Sequence, residues 1–436
     1  MTSKYDFQGK LITIKEAVNK IKSGDRIGLA IAASEPCGLL SELAKQKDRL
    51  EDVHTWVCLP MRAYEYAINP DMDGHFFVEN WFYGVFDRKT HSQGRMSYIP
   101  NNLHRAASDK LHATGGKLNV FWGTATPPDD RGYMSLSLSL VVEKELMQAA
   151  DLVILEINEN LPWTLGDTQI HLSEVDFIVE NHVPLYELPA TQSTETEQKI
   201  GEFIAELIED GATLQLGIGG IPNAITHFLK NHKDLGIHTE MFNDGMVDLY
   251  ESGAITNRKK TIYKGKMVGA FALGSRKLYD FINNNIGVEF LQGKTTNNPY
   301  VIGQNYKMIS VNTALQVDLL GQVCSQSIGY KHFSGTGGQL DTHRGAQLSQ
   351  GGRGIIALRS TAKDGEISTI VPTLSLGAEV TVPSQCVDTI VTEFGIAELR
   401  GRNLRERAKA LIQISHPDKR ESLAAEVRKL GIVPSL

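Results

Sequence analysis

The feature that most constrains the fold is a strand, loop and helix pattern that occurs twice in the chain. Residues 23–36 and 210–222 each contain a short apolar run, a loop of small residues and a proline where a helix can begin. Apolar residues at helical spacing follow both segments, at Leu39, Leu40 and Leu43 in one copy and at Ile225, Phe228 and Leu229 in the other. The pattern is typical of strand–loop–helix units in an α/β domain.

A second pair of apolar runs supports an internal duplication. Residues 150–156 and 387–393 each have the largely apolar character of a buried parallel strand, and they follow the first pair in the same order. Chance recurrence of such short patterns is the alternative for either pair alone. Because a polar stretch at 189–197 separates the halves, we predict an N-terminal α/β domain over 1–190 and a C-terminal α/β domain over 191–436.

The charge balance gives no general attraction for polyanions. Lys and Arg total 44 against 51 Asp and Glu, so the net charge is -7. A negative protein has no overall electrostatic reason to bind nucleic acid or an anionic membrane, and we expect neither as a partner. An anionic substrate must therefore be held by local groups.

The cysteines and the N-terminal residues indicate a reducing compartment. Four cysteines are scattered along the chain, and no Cys or His cluster has the spacing of zinc ligands. The first residues lack the apolar core of a signal peptide, and no apolar run long enough to span a membrane follows. We therefore expect free thiols, no bound metal and a soluble cytoplasmic protein.

A glycine loop with the sequence Gly-Ile-Gly-Gly-Ile-Pro-Asn occupies residues 217–223, where a strand ends and a helix begins. Backbone N–H groups and the helix dipole favour an anion at such a point, for example a phosphate or an oxyanion. The loop matches neither the G-x-G-x-x-G dinucleotide pattern nor a P-loop. A tight turn with no ligand is the alternative.

Glu240 is the candidate reactive carboxylate. It follows a short apolar step and precedes the turn-forming sequence Asn-Asp-Gly at 243–245. We predict that it lies on a loop at a strand end, on the same sheet edge as the glycine loop. A solvated surface glutamate is the alternative for this residue considered alone.

A second glycine-rich segment contains Gly335, Gly337 and Gly338. Three glycines in four residues favour a close approach of backbone to a ligand, with a second oxyanion donor as one specific version. A flexible surface loop is the alternative. Asn312 lies in the preceding segment 310–325, which alternates like a strand and turn. It is a polar candidate for the same cleft, although asparagine is also common in turns.

Four motifs in this order resemble a known family. They are G-x-G-G-I-P-N, T-E-x-x-x-D-G, S-G-T-G-G-Q-x-D with R-G-A, and E-F-G-I-A-E-L-R-G at 393–401. The combination resembles the class I CoA-transferases, within them the acetyl-CoA hydrolase/transferase family, and is similar to its 4-hydroxybutyrate and butyryl-CoA:acetate members. The resemblance covers almost the whole chain. It implies two similar open α/β domains, related by duplication, with the active site between them.

The resemblance also implies roles for individual residues. Glu240 matches the glutamate that forms a glutamyl-CoA thioester, and Gly338 and Ile221 match the oxyanion donors. The implied CoA-binding residues are Gly217, Ile218, Gly219, Gly220, Ile221, Asn312, Gly335, Gly337 and Gly338. Thr342 and His343 stand where the family commonly has phenylalanine, so the lining of the acyl pocket is in question.

The implied activity is transfer of CoA from an acyl-CoA to a short-chain carboxylate, with 4-hydroxybutyrate or butyrate and acetyl-CoA as the expected pair. CoA is then a substrate, and no prosthetic group is needed. An acyl-CoA hydrolase of the same family is the alternative, and a CoA-binding module without turnover would not need Glu240. The family resemblance further implies a homodimer.

Overall fold

The computed structural model describes residues 9–188 and 192–431. Contacts between Cα atoms divide the chain into two compact units. The first comprises residues 9–188 together with Val268–Thr296, and the second comprises residues 192–267 and 297–431. Both are α/β bodies built on largely parallel sheets, which confirms the predicted fold class. No helix in these described residues is long and apolar enough to cross a membrane.

The first unit contains a seven-stranded, wholly parallel sheet. Its strands are buried on both faces, because helices cover parallel sheets. The strands between residues 9 and 188 are β1 (Arg26–Leu29), β2 (Val53–Val57), β3 (Phe76–Asn80), β4 (Met96–Tyr98), β5 (Leu118–Ala125), β6 (Tyr133–Ser135), β7 (Ala150–Ile157), β8 (Gln169–His171) and β9 (Phe177–Glu180). The helices are α1 (Ile14–Asn19), α2 (Cys37–Leu43), α3 (Glu65–Ile68), α4 (Asp87–Ser92), α5 (Ala106–Ala113) and α6 (Glu143–Ala149). The strand order is β4-β3-β2-β1-β5-β7-β9.

The second unit contains a six-stranded sheet of which only the last strand is antiparallel. Between residues 192 and 267 the elements are α7 (Glu195–Glu206), β10 (Thr213–Leu216), α8 (Gly220–Phe228), β11 (Gly236–Ile237), β12 (Met241–Phe242) and α9 (Asp244–Glu251). The next segment, residues 267–296, contains β13 (Met267–Gly269), β14 (Phe271–Ala272), α10 (Arg276–Ile282), β15 (Val288–Phe290) and α11 (Gly293–Thr296).

The remaining elements all belong to the second unit. They are α12 (Pro299–Ile302), β16 (Met308–Thr313), β17 (Gln316–Asp318), β18 (Val323–Cys324), β19 (Ser327–Ile328), β20 (Lys331–His332), α13 (Gln339–Leu348), β21 (Arg353–Ala357), β22 (Thr361–Ala362), β23 (Ile367–Ser368), β24 (Ile370–Val371), β25 (Thr389–Thr392), β26 (Gly395–Glu398), α14 (Leu404–Gln413) and α15 (Pro417–Lys429). The strand order of the second sheet is β11-β10-β16-β21-β25-β26.

The segment Val268–Thr296 belongs to the first unit, whereas the division predicted at residue 190 placed it in the C-terminal domain. Backbone hydrogen bonds explain the difference, because Ala272 donates to Leu138 at 2.8 Å and Leu140 donates to Ala270 at 2.8 Å. The main boundary follows Leu188. Residue 190 itself lies outside the described residues.

Of the two predicted strand pairs, one occupies equivalent positions. β1 and β10 each lie where the strand order reverses, and each is followed by a loop and a helix with a buried apolar face. The second pair was wrong, because β7 is two strands from β1 whereas β25 is three strands from β10. The two runs look alike because both are buried parallel strands, which select the same apolar residues wherever they lie.

Candidate active site

Glu240 lies three residues after the end of β11, and the glycine loop lies directly after β10. β10 and β11 are hydrogen-bonded in parallel, so their carboxyl ends meet at the same edge of the sheet. The predicted placement of Glu240 beside the glycine loop is therefore confirmed. Open α/β sheets bind ligands at this edge, where the strand order reverses, which here is between β10 and β16.

Two hydrogen-bond donors hold the Glu240 carboxylate. The side-chain amide of Asn297 donates to Glu240 Oε2 at 2.8 Å, and the backbone N–H of Gly338 donates to the same carboxylate. Asn297 is fully buried and Glu240 is partly buried. The solvated-surface interpretation of Glu240 is therefore wrong, because both donors are fixed by the surrounding fold.

The environment raises the pKa of Glu240 to about 7. Burial is the largest cause, since it disfavours the charged form, and the nearby Asp341 carboxylate acts in the same direction. The hydrogen bonds from Asn297 and Gly338 oppose the shift. A carboxylate of raised basicity that still ionises near neutral pH is suited to nucleophilic attack.

The second glycine segment contacts Glu240 through its last residue. A Cβ at position 338 would lie 1.9 Å from Glu240 Oε2 and 2.1 Å from Asn297 Nδ2, so only glycine fits. Gly335, Gly337 and Gly338 are all buried, and α13 begins immediately after them. Gly337 has φ 51°, which glycine adopts readily. The flexible-loop alternative is wrong, and the helix that follows was not foreseen from the sequence.

The glycine loop has an open outer face and a supported inner face. Nothing lies within 4 Å of a Cβ built at Gly217 or Gly219, and Ile218 is 42% exposed. The loop is fixed from below, because Asn243 Nδ2 donates to the Gly217 carbonyl at 2.9 Å. Gly219 precedes α8 with φ 112°, which requires glycine.

Ile221 lies in the first turn of α8 and is buried. The oxyanion role of Ile221 stays a prediction. So does CoA binding by the loop residues Gly217, Ile218, Gly219, Gly220 and Ile221.

Asn312, the penultimate residue of β16, lies within a polar network. Its Nδ2 donates to Gln215 Oε1 at 3.2 Å and to Thr342 Oγ1 at 3.2 Å, and Ser310 Oγ donates to Gln215 Oε1 at 2.6 Å. The network joins the carboxyl ends of β10 and β16 to α13. It supports the scaffold beneath both glycine segments, whereas contact of Asn312 with CoA stays a prediction.

Thr342 and His343 do not share one environment, although the sequence comparison treated them together. Thr342 faces the polar network through its contact with Asn312. His343 is fully buried against Gly354, where a Cβ would lie 2.5 Å from the imidazole ring, and burial lowers the pKa of His343 to about 4. His343 is thus a neutral residue of the packed interior.

Sequence reasoning missed Asn297 and gave Asp341 no role. Asn297 stands in Thr-Thr-Asn-Asn-Pro, a run of ordinary turn residues before the short helix α12. Only the tertiary fold brings it to Glu240. Asp341 was visible within its motif, and its importance follows from its place in the first turn of α13, near Glu240.

The fold and this geometry define an α/β protein that presents a reactive carboxylate at the carboxyl edge of a parallel sheet. The acetyl-CoA hydrolase/transferase N-terminal domain matches residues 1–186, and the C-terminal domain of the same family matches residues 274–427. The chain therefore belongs to the acetyl-CoA hydrolase/transferase family and is an enzyme of that family. The resemblance stated from the sequence motifs is confirmed.

Individual relatives match nearly end to end. The 4-hydroxybutyrate coenzyme A transferase of Clostridium kluyveri is 46% identical over 97% of this chain and 98% of that protein. The succinyl-CoA:cyclohexane-1-carboxylate CoA transferase of Geobacter metallireducens is 41% identical over 98% of this chain and 97% of that protein. Among solved structures, RipA from Yersinia pestis superposes with a TM-score of 0.90 at 35% identity, covering 98% of this chain and 99% of that one.

Asn297→Ala is expected to slow turnover about 100-fold to 1000-fold, the usual effect of losing one donor to a developing oxyanion. Because the lost hydrogen bond lowers the pKa of Glu240, that pKa is expected to rise further. In the unsubstituted enzyme kcat/KM should increase with pH through about 7, as Glu240 ionises. In the variant this acid limb should move to higher pH, as pH–rate profiles would show.

The matched control for this variant is Asn298→Ala, which removes the neighbouring asparagine. Asn298 accepts from the Tyr300 N–H at 3.0 Å and caps α12. Its pH profile should match that of the unsubstituted enzyme. An unchanged acid limb in Asn297→Ala would show that Asn297 does not tune Glu240.

Proposed function

We propose that the chain transfers CoA between carboxylic acids, with Glu240 as the covalent carrier. The observation that carries the proposal is the Glu240 carboxylate, held by Asn297 and Gly338 with a pKa raised to about 7. The carboxylate lies so close to the second glycine segment that a Cβ at Gly338 would be 1.9 Å from Oε2, which fixes glycine at that position. Membership of the family supports the same chemistry.

The proposed reaction begins with attack of a Glu240 oxygen on the thioester carbonyl of the donor acyl-CoA. The C–S bond breaks, which leaves an acyl-glutamyl anhydride and CoA thiolate. The thiolate then attacks the glutamyl carbonyl and releases the donor carboxylate, so that CoA is joined to Glu240 as a thioester. An acceptor carboxylate reverses these two steps. Each step exchanges one anion for another, so no net proton transfer, oxidant or ATP is required.

The residues around Glu240 match the demands of these steps. Each addition to a carbonyl places negative charge on its oxygen, and fixed N–H donors stabilise that charge by about 2.7–4 kcal/mol each. We assign this role to the Gly338 N–H and the Asn297 amide at the glutamyl group. The Ile221 N–H is proposed as the donor at the acyl carbonyl.

CoA is assigned to the carboxyl edge of the second sheet. The proposal places its thioester end at the glycine loop, whose outer face is open above Gly217 and Gly219. Gly335, Gly337 and Gly338 are proposed to approach the pantetheine chain, with Asn312 at the strand end beside them. CoA enters and leaves as a substrate in this scheme.

The proposed acyl pair is 4-hydroxybutyrate or butyrate with acetyl-CoA. The Clostridium kluyveri relative, whose name specifies 4-hydroxybutyrate, supports this choice. The Geobacter metallireducens relative, whose name specifies succinyl-CoA and cyclohexane-1-carboxylate, supports CoA transfer between carboxylic acids in general. We also propose a cytoplasmic homodimer, which a monomer in light scattering would contradict.

The experiment that separates transfer from hydrolysis compares loss of acetyl-CoA with and without added carboxylates. For a transferase we expect consumption to require the acid, and at least a tenfold stimulation by 4-hydroxybutyrate or butyrate, which is about 1.4 kcal/mol of barrier. Formation of the matching acyl-CoA should equal the acetyl-CoA lost. Consumption at one rate in all mixtures, with no new acyl-CoA, would identify a hydrolase instead.

A further inference from the structure

A buried lysine lies in the second unit, in the loop between α9 and β13. Lys260 is 1% exposed, although lysine is almost never fully buried unless partners receive its N–H donors. Its Nζ donates to the Ile237 carbonyl at 2.7 Å and to the Lys266 carbonyl at 2.8 Å. The proposed reaction does not use this side chain, so its burial at the end of β11 requires a separate explanation.

Ile237 is the last residue of β11, which is the edge strand of the second sheet. The residues on either side, Gly236 and His238, donate their N–H groups toward β10 at 2.9 and 3.1 Å. The N–H and carbonyl of Ile237 therefore point away from β10, and an edge strand leaves such groups unpaired. Here Asn257 Oδ1 accepts from the Ile237 N–H at 2.9 Å, while Lys260 donates to the carbonyl. Two side chains of one loop thus take the place of a neighbouring strand.

The backbone around these contacts is built for them. A Cβ at Gly236 would lie 2.5 Å from Lys260 Cγ, so glycine is required where the lysine stem crosses β11. Asn257 has φ 57°, in the left-handed region that asparagine tolerates better than most residues. The Gly265 N–H donates to the Asn257 carbonyl at 3.1 Å and closes the loop. The position of the Lys260 amine is therefore fixed from both sides.

We propose that Lys260 is a positioning residue for Glu240, acting through the Ile237 carbonyl. The inference rests on the proposed function, in which Glu240 is the nucleophile. Glu240 follows Ile237 by three residues, and the two residues between them are buried, so little slack separates the strand end from the carboxylate. A displaced strand end would move the carboxylate away from Asn297 and Gly338. Lys260 itself makes and breaks no bond.

The test is Lys260→Met, which keeps an unbranched stem and removes the N–H donors. We expect kcat for CoA exchange to fall about 10-fold to 100-fold, the effect of misplacing a reacting group by about 1 Å. KM for acetyl-CoA should stay the same, because groups that bind the ground state are unchanged. The hydrogen bonds from Asn297 and Gly338 oppose the raised pKa of Glu240. Since they would weaken, the acid limb of kcat/KM should move to higher pH.

The matched control is Lys259→Met, the same substitution at the neighbouring, exposed lysine. It removes the same side-chain charge without touching β11. Its kcat and its acid limb should equal those of the unsubstituted enzyme. An effect of the control as large as that of Lys260→Met would overturn the proposal, because the loss would not depend on the contact with Ile237.

Thermal unfolding separates positioning from general support of the fold. If Lys260 only stabilises the second unit, Lys260→Met should unfold at a lower temperature, yet show normal kcat and an unchanged acid limb well below that temperature. That result would overturn the proposal. Lys260→Gln retains an N–H donor on a stem one bond shorter, so its kcat should lie between those of Lys260→Met and the unsubstituted enzyme.

Lys260→Gln also decides the case in which Lys260→Met does not fold. A folded glutamine variant with a reduced kcat and a shifted acid limb would support positioning, whereas normal values for both would overturn it. Failure of both variants to fold would assign Lys260 to the fold alone and overturn the proposal. An unsubstituted enzyme without carboxylate-dependent exchange would instead overturn the proposed function.

Discussion

Glu240→Ala is expected to reduce CoA transfer by about 10⁶-fold, as loss of a covalent nucleophile does in other enzymes. The reason is that the alanine variant has no group that can carry first the acyl group and then CoA. Residual turnover would have to come from direct attack of the acceptor carboxylate on the thioester. Initial rates of acyl-CoA exchange, measured over a range of enzyme concentrations, would quantify the loss.

The variant should stay folded, which separates this result from simple destabilisation. The pKa of Glu240 is raised to about 7, so the fold holds the neutral carboxyl more tightly than the ionised one. The stability from the neutral form is present below the ordinary carboxyl pKa and is lost as pH rises towards 7. Glu240→Ala should therefore unfold no earlier than the unsubstituted protein at pH 8.

A suitable control for Glu240→Ala is Glu206→Ala, which removes an exposed carboxylate from α7. This control should retain full exchange activity and the same midpoint of thermal unfolding. Exchange by Glu240→Ala within tenfold of the unsubstituted enzyme would reject Glu240 as the carrier.

Gly338→Ala is expected to reduce kcat about 100-fold to 1000-fold, because it displaces the proposed oxyanion donor from the Glu240 carboxylate. The added methyl group would lie 1.9 Å from Glu240 Oε2 and 2.1 Å from Asn297 Nδ2, so both side chains must move. The substitution thus disturbs the nucleophile and its two donors together. Steady-state kinetics should show the loss mainly in kcat, because the glycine loop after β10, which the proposed function assigns to CoA, is unchanged.

The matched control is Gly287→Ala, in the first unit. The one atom within 4 Å of a Cβ at that position is Asn285 Oδ1, at 3.2 Å, so a small side-chain shift accommodates the methyl group. The control should have nearly normal kcat. A Gly338→Ala enzyme with normal kcat would show that the short contact around Glu240 is not part of the reaction.

The sequence predicted the placement of Glu240 because local patterns define the strands that precede it. An apolar run, a small-residue loop and a helical spacing identify β10 and α8, and a second apolar step identifies β11. Adjacent parallel strands then bring the two following loops to one edge. The position of Gly338 could be tied to this edge only through the family resemblance.

The contacts of Asn297 and Lys260 could not be predicted, because they arise from tertiary packing. Asn297 stands among turn residues, and its amide reaches Glu240 across 57 positions of sequence. Lys260 reaches the Ile237 carbonyl across 23 positions. Neither residue lies in a pattern whose spacing specifies a partner.

The differences between the predicted and observed positions of these segments have the same origin. Val268–Thr296 belongs to the first unit because it forms hydrogen bonds with residues 138–140. The amino-acid composition does not change at the ends of this segment. The false pairing of residues 150–156 with 387–393 arose because buried parallel strands converge on similar apolar sequences. Periodicity identifies such strands but does not specify their position in a sheet.

Mass spectrometry of the enzyme after incubation with acetyl-CoA alone tests the central claim most directly. Without an acceptor acid the donor acetate diffuses away, and we expect CoA to remain joined to the enzyme as a thioester at Glu240. Borohydride should reduce that thioester to an alcohol, mapped to the peptide that contains Glu240, and should inactivate only enzyme that has met acetyl-CoA. Rapid exchange activity with no CoA-sized addition and no change on that peptide would contradict the account.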